Sequence, residues 1–527
     1  LIVVEERRSF VERQVVQILN PLRQRGETVA EVFGKQLPGS HLGRLGIPDD
    51  RELHPSLLIE RLAPVLRDHP AVLPLSLSGN GTDNSLAAAL HDIERTAAYD
   101  VHIGERTPTF CPGCPHRDSS SVLLELKRDL FDPQYMLEHH TRKPVELICH
   151  ADAGCSSLLA YEPSRELCGS VVPPRGLGAA TARGAEPFIE NKQLVFMGDG
   201  TFFQSGQAAI AESIHAGQDV TYVILDNKTT ALTGRHFHAD DQRDVMGRST
   251  FAQQIPQMIE GMIPKKLKRD VRVVSIDPAD RWRYRNLLEQ SILASGVKII
   301  IADKECGITY HRHADERRHR ERNEFGFVAK QKHMNIATEV CENCRECTRL
   351  TGCTGLTLVD TDHGPKVQTD LSACVNDRAC ERIGACPSFE QVTIIRKKPP
   401  RECDVDPDTI NLPAPPRPLH ADSDKWRCLL AGVGGMGVSA ATYILTAAGR
   451  EMGYHVQFIR HNGVAVRNGG VFSQLLYTRD DAQNGNGNGK PTAAIPYGGG
   501  DLLIGVDLLE AVRAIDPNHR YRIASPD

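Results

Sequence analysis

Along the chain, short apolar runs alternate with stretches of helical period. Leu1–Val4 reads as a strand, and Glu5–Leu19 sets Phe10, Val11, Val15, Val16 and Leu19 on one face of an amphipathic helix. Residues 55–67 predict another short helix. From about residue 100 to 330 the pattern predicts strands at Val145–Cys149, Gln193–Met197, Val220–Leu225, Val271–Val274 and Val297–Ala302, with helical stretches such as Gly206–Ala216 between them. That alternation predicts a parallel sheet with crossover helices. A Cys-dense stretch follows at about 335–395, then a Pro-rich linker from Lys397 to His420, expected to be extended and semi-rigid. The last segment opens on a strand, Arg427–Ala431, a glycine turn, Gly432–Gly437, and a helix, and its Asn484–Gly489 repeat reads as a flexible surface loop.

A chain of 527 residues implies about three to five domains. With 40% hydrophobic and 24% charged residues, ordinary globular domains are expected. The net charge of −5 advertises no nucleic-acid surface, and the basic stretch His311–Arg322 reads as a solvated face. There is no run of 18 apolar residues and no signal peptide, so no membrane span is expected and the expected location is cytoplasmic. The chain begins at Leu1 in an apolar run and stops at Asp527 within what reads as a domain, so a fragment, a processed chain or one with unread ends is expected.

The cysteines change the picture. A long chain without a secretory signal but with 15 cysteines in short clusters is expected to bind metal rather than form disulfides. Cys149 and Cys168 carry no spacing signal and read as core or surface thiols.

Four places carry candidate chemistry. First, Gly198-Asp199-Gly200 ends one predicted strand and Asp226-Asn227-Lys228-Thr229 ends the next. Oxygen donors at the carboxyl edge of a parallel sheet suit Mg²⁺, and the glycines let backbone approach a diphosphate. Second, Cys111, Cys114, Cys155 and Cys306 lie on three loops at strand ends or helix starts, compatible with Zn²⁺ or a [4Fe–4S] cluster. His116, the candidate catalytic residue, either faces the cofactor or the substrate or is a backbone-satisfied helix-start residue.

Third, Cys341, Cys344 and Cys347 form a Cys-x₂-Cys-x₂-Cys run, followed by Cys353, Cys374, Cys380 and Cys386-Pro387. Two-cluster ferredoxins exchange the fourth cysteine of each run. On that pattern one cluster takes Cys341, Cys344, Cys347 and Cys386, and the other takes Cys353, Cys374, Cys380 and, in the middle position, Asp377. A water-ligated iron, a three-iron cluster, no second cluster, or zinc remain as rivals. Fourth, Gly432–Gly437 matches Gly-x-Gly-x-x-Gly, but Val456–Arg460 offers no acidic residue where a dinucleotide fold needs one, so a structural turn is expected.

Gly-Asp-Gly with Asn227 28 positions after Asp199 resembles the thiamine diphosphate motif, which implies Asp199, Asn227 and the Thr229 carbonyl as metal ligands. Cys111-Pro-Gly-Cys114, Gly154-Cys155-Ser-Ser and the later Cys306 resemble 2-oxoacid:ferredoxin oxidoreductases, and Phe110–His116 and Leu225–His236 look most like the indolepyruvate branch. That resemblance implies a proximal [4Fe–4S] cluster on Cys111, Cys114, Cys155 and Cys306. Gly432–Gly437, Arg467–Gly470 with Ser473, and Ile495–Arg513 resemble that superfamily's γ-type domain.

The implied architecture is multidomain α/β. Residues 1–75 end a preceding α/β domain; 76–334 form a doubly wound parallel sheet binding thiamine diphosphate; 335–396 form a ferredoxin-like α+β module. A linker, 397–424, leads to an incomplete Rossmann-like γ-type domain, 425–527. The implied reaction is oxidative decarboxylation of a 2-oxoacid, an arylpyruvate such as indolepyruvate, to an acyl-CoA. Electrons pass through two or three [4Fe–4S] clusters to ferredoxin or a similar acceptor. A pyrimidine-binding thiamine domain must come from elsewhere in the protein or from another subunit, and an oligomer is expected. The alternative is an electron-relay subunit without decarboxylase activity of its own.

Overall fold

The computed structural model describes the chain except for residues 38–45, 51, 69–81, 100, 102, 105, 173, 233, 235, 385, 399–424, 464–468, 480–491, 517–518, 520–521 and 524–527. The linker from 399 onward, Arg467, Asn468 and the Asn484–Gly489 loop therefore lie outside the described residues. Two compact units emerge, one of Arg106–Leu412 with Gly463–Gly469, the other of Leu1–Glu105, Pro413–Asn462 and Gly470–Asp527.

The first unit is built on six parallel strands: β1 (Leu147–Asp152), β2 (Cys168–Val172), β3 (Lys192–Gly198), β4 (Val220–Asp226), β5 (Arg272–Ile276) and β6 (Lys298–Asp303). Their order is β2-β1-β3-β4-β6-β5. Helices cover both faces of the inner strands, which is why β3, β4 and β6 read as nearly unbroken apolar runs. Along β3, Leu194 and Phe196 enter one core with Leu123, Leu126 and Leu130 of the helix Pro115–Phe131. Val195 and Met197 enter the opposite core with Ile210, Ile214 and Ile259. The chain leaves β1 outward to β2 and returns to β3 on the other side, so the loops after β1 and β3 diverge and open a crevice at the carboxyl edge.

The same unit carries the Cys-dense module. Strand β7 (Lys330–Ile336) pairs antiparallel with β10 (Phe389–Ile395), and β8 (Leu356–Thr361) with β9 (Gly364–Thr369) forms a hairpin between them in sequence. The module's small core holds Ile336, Val367, Cys341 and Cys347.

The second unit has a mixed sheet of β11 (Lys425–Val433), β12 (Tyr454–Asn462), β13 (Gly470–Arg479) and β14 (Leu502–Gly505), ordered β12-β13-β11-β14. Only β11 and β14 are parallel; β13 runs antiparallel to both β11 and β12. The strand after the glycine turn is therefore not β11's parallel neighbour, as a Rossmann crevice requires. The glycines instead serve the turn. Gly435 and Gly437 take left-handed φ of 94° and 87°, and a methyl at Gly432 would lie 2.6 Å from Val438 Cγ2 of the following helix.

Two N-terminal expectations are corrected. Leu1–Val4 is no strand but one isolated bridge, Ile2 with Phe33. The helix spans Phe10–Gln24, shifted by a Glu5 carboxylate that accepts from the Phe10, Val11 and Glu12 amides, and it has no buried residue.

His54 stacks on Tyr497, ring centroids 4.4 Å apart, and Arg522 lies over the Tyr497 ring. Burial, aided by the Arg522 charge, lowers the His54 pKa from 6.5 to about 4. The folded form thus refuses a proton that the unfolded chain takes. Stability should be full above pH 6.5 and fall by about 3 kcal/mol as pH drops toward 4. Thermal unfolding against pH, compared with a His54→Phe chain that keeps the stack, checks this. Superimposable curves would show that His54 does not couple to folding.

Candidate diphosphate and iron–sulfur sites

The loops after β1, β3, β4 and β6 meet at one edge of the parallel sheet. Asp199, buried after β3, is the organising carboxylate. Its Oδ1 accepts from the Gly200 amide at 2.7 Å, and its Oδ2 accepts from the Asn227 and Thr229 amides at 3.1 and 3.0 Å. Lys228 between them takes a left-handed φ of 64°, which turns both of those amides toward Asp199 while its own side chain pairs outward with Asp226 and Asp303. Burial raises Asp226 to about 6, against the pull of Lys228. A methyl on Gly200 would meet Thr230 Oγ1 at 2.5 Å, whereas Gly198 faces open space. A hard-oxygen donor set beside a glycine backbone open to a cleft fits Mg²⁺ carrying a diphosphate. Asp199, Asn227 and Thr229 would hold it.

Asn227 Oδ1 accepts from the Thr229 amide, so its Nδ2 is the donor to His116 Nε2 at 3.2 Å. The ring proton of His116 then rests on Nδ1, which is buried and has no hydrogen-bond partner among the described residues. Burial lowers the His116 pKa to about 4, so the imidazole is neutral.

Three residues of this site escaped the sequence reading. Arg175 lines the same cleft. Asp152, raised to about 6 by burial, ties the loops together by accepting from the Gly176 amide and Thr201 Oγ1. His238 Nε2 lies 3.2 Å from Asp199 Oδ2. A motif search for Gly-Asp-Gly ignores all three; Asp152, at the end of the neighbouring strand, offered the only positional signal.

Beside the cleft, Cys111, Cys155 and Cys306 pack in one cluster with Ala231 and Ile308, and Cys114 feels the Cys111 and Cys306 thiols. Cys114 caps the helix Pro115–Phe131 and Cys306 caps the helix Gly307–Phe325. Two helix N-termini thus point at the thiols and favour negative charge there. Burial first, and then the neighbouring thiols, pushes Cys114 and Cys155 upward, so loading metal here would release protons.

In the Cys-dense module, Cys374, Asp377, Cys380 and Cys386 each stand 33 residues after Cys341, Cys344, Cys347 and Cys353. The backbone repeats as well. Asn343 and Arg345 take left-handed φ of 56° and 60°, and Asn376 and Arg378 take 57° and 62°. Non-glycine residues pay strain for that conformation, which turns successive amides inward as an anion-holding nest. The fold brings Cys347 near Cys341 and Cys386, and Cys374 and Cys380 near Cys353 and Asp377, an exchange across the repeat. Cys344 is exposed. Asp377 occupies the position of Cys344 in the repeat, and its Oδ2 lies 3.5 Å from Arg117 Nη2 and 3.6 Å from Lys304 Nζ. No disulfide joins the described cysteines. Among the described residues, no three His, Cys, Asp or Glu side chains stand close enough to hold one metal ion.

Comparison with known proteins finds two family matches and a set of relatives. Residues 152–269 match the family described as thiamine pyrophosphate enzyme, C-terminal TPP binding domain, and residues 427–520 match pyruvate ferredoxin/flavodoxin oxidoreductase. The chain is 26% identical over 284 residues to the indolepyruvate oxidoreductase subunit IorA of Archaeoglobus fulgidus, an alignment covering 54% of this chain and 39% of that one. The corresponding subunit of Methanothermobacter thermautotrophicus is 24% identical over 286 residues, covering 54% and 40%. The alignments thus span about two fifths of these relatives' length. Among solved structures, a 2-oxoglutarate:ferredoxin oxidoreductase from Magnetococcus marinus aligns at 15% identity and a TM-score of 0.30, covering 40% of this chain and 71% of that one. Among the described residues no helix is long and apolar enough to cross a membrane. With a thiamine-binding match and an oxidoreductase match on one chain, and relatives of the indolepyruvate type over about half of it, the chain is similar to the 2-oxoacid:ferredoxin oxidoreductases.

Proposed function

We propose that this chain carries the thiamine and electron-transfer core of an enzyme that oxidatively decarboxylates a 2-oxoacid, an arylpyruvate, to an acyl-CoA and passes the electrons to ferredoxin or a similar acceptor. What supports this most is the single sheet edge where the oxygen donors of Asp199 and Asn227 meet the thiols of Cys111, Cys114, Cys155 and Cys306. Bound thiamine diphosphate supplies the electron sink for loss of CO₂, and [4Fe–4S] clusters take electrons singly. Asp199, Asn227 and the Thr229 carbonyl hold Mg²⁺ and so the diphosphate. Arg175 adds a cation to the same cleft. His116, neutral and lining the cleft beside Asn227, meets the bound cofactor or the substrate there. The four proximal thiolates hold one cluster; Cys341, Cys344, Cys347 and Cys386 hold a second; Cys353, Cys374, Cys380 and Asp377 hold a third. A glutamate-bearing pyrimidine domain comes from elsewhere in the protein or from a partner subunit, so the isolated chain should turn over poorly. Decarboxylation at full rate by these 527 residues alone would remove that requirement.

The test is an anaerobic assay on the native assembly, isolated through a tag on this chain. The expected result is thiamine- and CoA-dependent release of CO₂ from an arylpyruvate, with one pair of electrons delivered to a viologen acceptor per CO₂. Release of CO₂ and an aldehyde without acceptor reduction would overturn the oxidative reading. Iron-loaded protein that releases no CO₂ from any 2-oxoacid would leave an electron relay instead.

A further inference from the structure

We propose that Arg117 is the positioning residue between the proximal thiol site and the Asp377-containing site, and that its fixed charge, shared with Lys304, raises the reduction potential of the centres on either side. This rests on the reading that both sites hold iron–sulfur clusters. Arg117 lies three residues past Cys114 and is 3% exposed. Lys304 lies two residues before Cys306. Arg117 thus rides on the first turn of the helix that Cys114 caps, and Lys304 on the loop that leads to Cys306. Both reach Asp377 Oδ2, on the loop that carries Cys374 and Cys380, and both also pair with the buried Asp118.

The two loops touch at this point. A methyl added at Gly113 would sit 2.2 Å from Val375 Cγ2, so the Cys111–Cys114 turn packs directly on the Cys374–Asp377 loop. The guanidinium acts electrostatically on Cys114 at one site and on Cys353, Cys374 and Cys380 at the other. The two carboxylates do not exhaust it, since among the described residues Arg117 Nε is buried with no hydrogen-bond partner.

Stability alone gives little reason for such a network. Two cations and two carboxylates out of water are no more stabilising than apolar packing of the same volume. What they do supply is field. A positive charge in a low dielectric favours the form of a neighbouring centre that has gained an electron, and so raises its potential. Arg suits this role because it stays charged at every working pH, so the electron moves between the centres with no proton released at this position.

The experiment is a potentiometric titration followed by electron paramagnetic resonance, with iron counted per chain, on wild type, Arg117→Gln and Arg117→Lys. In Arg117→Gln the iron should be retained, and the potential of the Asp377 centre should fall by at least the tenfold change in equilibrium that equals about 59 mV for one electron. Arg117→Lys, which keeps the charge, should recover most of that shift, a recovery that a purely structural role would not give. Should Arg117→Gln fail to fold, Lys304→Gln, at a less buried position, should shift the potential in the same direction. Iron retained with potentials unmoved in the glutamine variants overturns the inference and leaves the cluster reading intact. A wild-type chain without iron overturns both.

Discussion

An Asp199→Ala chain is expected to lose several kcal/mol of stability and all response to thiamine diphosphate with Mg²⁺. The carboxylate is 3% exposed and accepts from three backbone amides, those of Gly200, Asn227 and Thr229. Each buried amide left without an acceptor costs roughly 1–3 kcal/mol. Asp199→Asn keeps one acceptor oxygen, so it should restore part of the stability. It should not restore the metal, because the charge that a hard cation needs is gone. The two losses therefore separate. Urea denaturation reads the first. The second is the rise in melting temperature of the wild-type chain in millimolar thiamine diphosphate and Mg²⁺, a rise that Asp199→Asn should lack. An Asp199→Ala chain that unfolds at the wild-type urea midpoint would show that the carboxylate does not organise the two loops.

Replacing Cys155 with serine should remove one whole cluster. Three four-iron clusters give about 12 iron atoms per chain, and loss of the proximal one leaves about 8. Cys155 is the informative thiol because it lies nearest the diphosphate cleft, lining it with His116 and Asp199. Cys149→Ser is the control, since Cys149 is wholly buried in the core of the parallel sheet and belongs to none of the three sites. Iron measured on anaerobically purified protein should drop only in Cys155→Ser. Equal iron in both variants would take the proximal site out of the electron path. Near-zero iron with several zinc atoms in the wild type would sink the oxidoreductase chemistry altogether.

The family match and the mixed α/β architecture agree with expectations drawn from short motifs, because those motifs are local. Strands β1, β3, β4 and β6 were legible as apolar runs, since both faces of a parallel sheet are buried there, and β5, a partly exposed edge strand, was legible from its valines. Strand β2 was not. It is short, and Gly169 sits where a methyl would lie 2.9 Å from Ile148 Cγ2, so a close approach to β1 reads in sequence as a loop. Strand β12 was legible as a strand but its direction was not, and direction is what separates the observed mixed sheet from a Rossmann crevice.

By itself, then, the sequence determined whatever depends on neighbours along the chain: helical and strand periods, the Asp199–Asn227 spacing, and the Cys-x₂-Cys runs. The tertiary structure decided which side chains meet across loops far apart in sequence. Arg117 and Lys304 carry no periodic signal, and 187 positions separate one from the other, yet both reach Asp377 because the carboxyl edge of one sheet and the docked Cys-dense module bring a helix start, a loop and a cysteine turn together. The same holds for Arg175 and His238. A charge on a loop costs nothing locally that a sequence pattern would betray, and its partner is set only when the backbone closes around it.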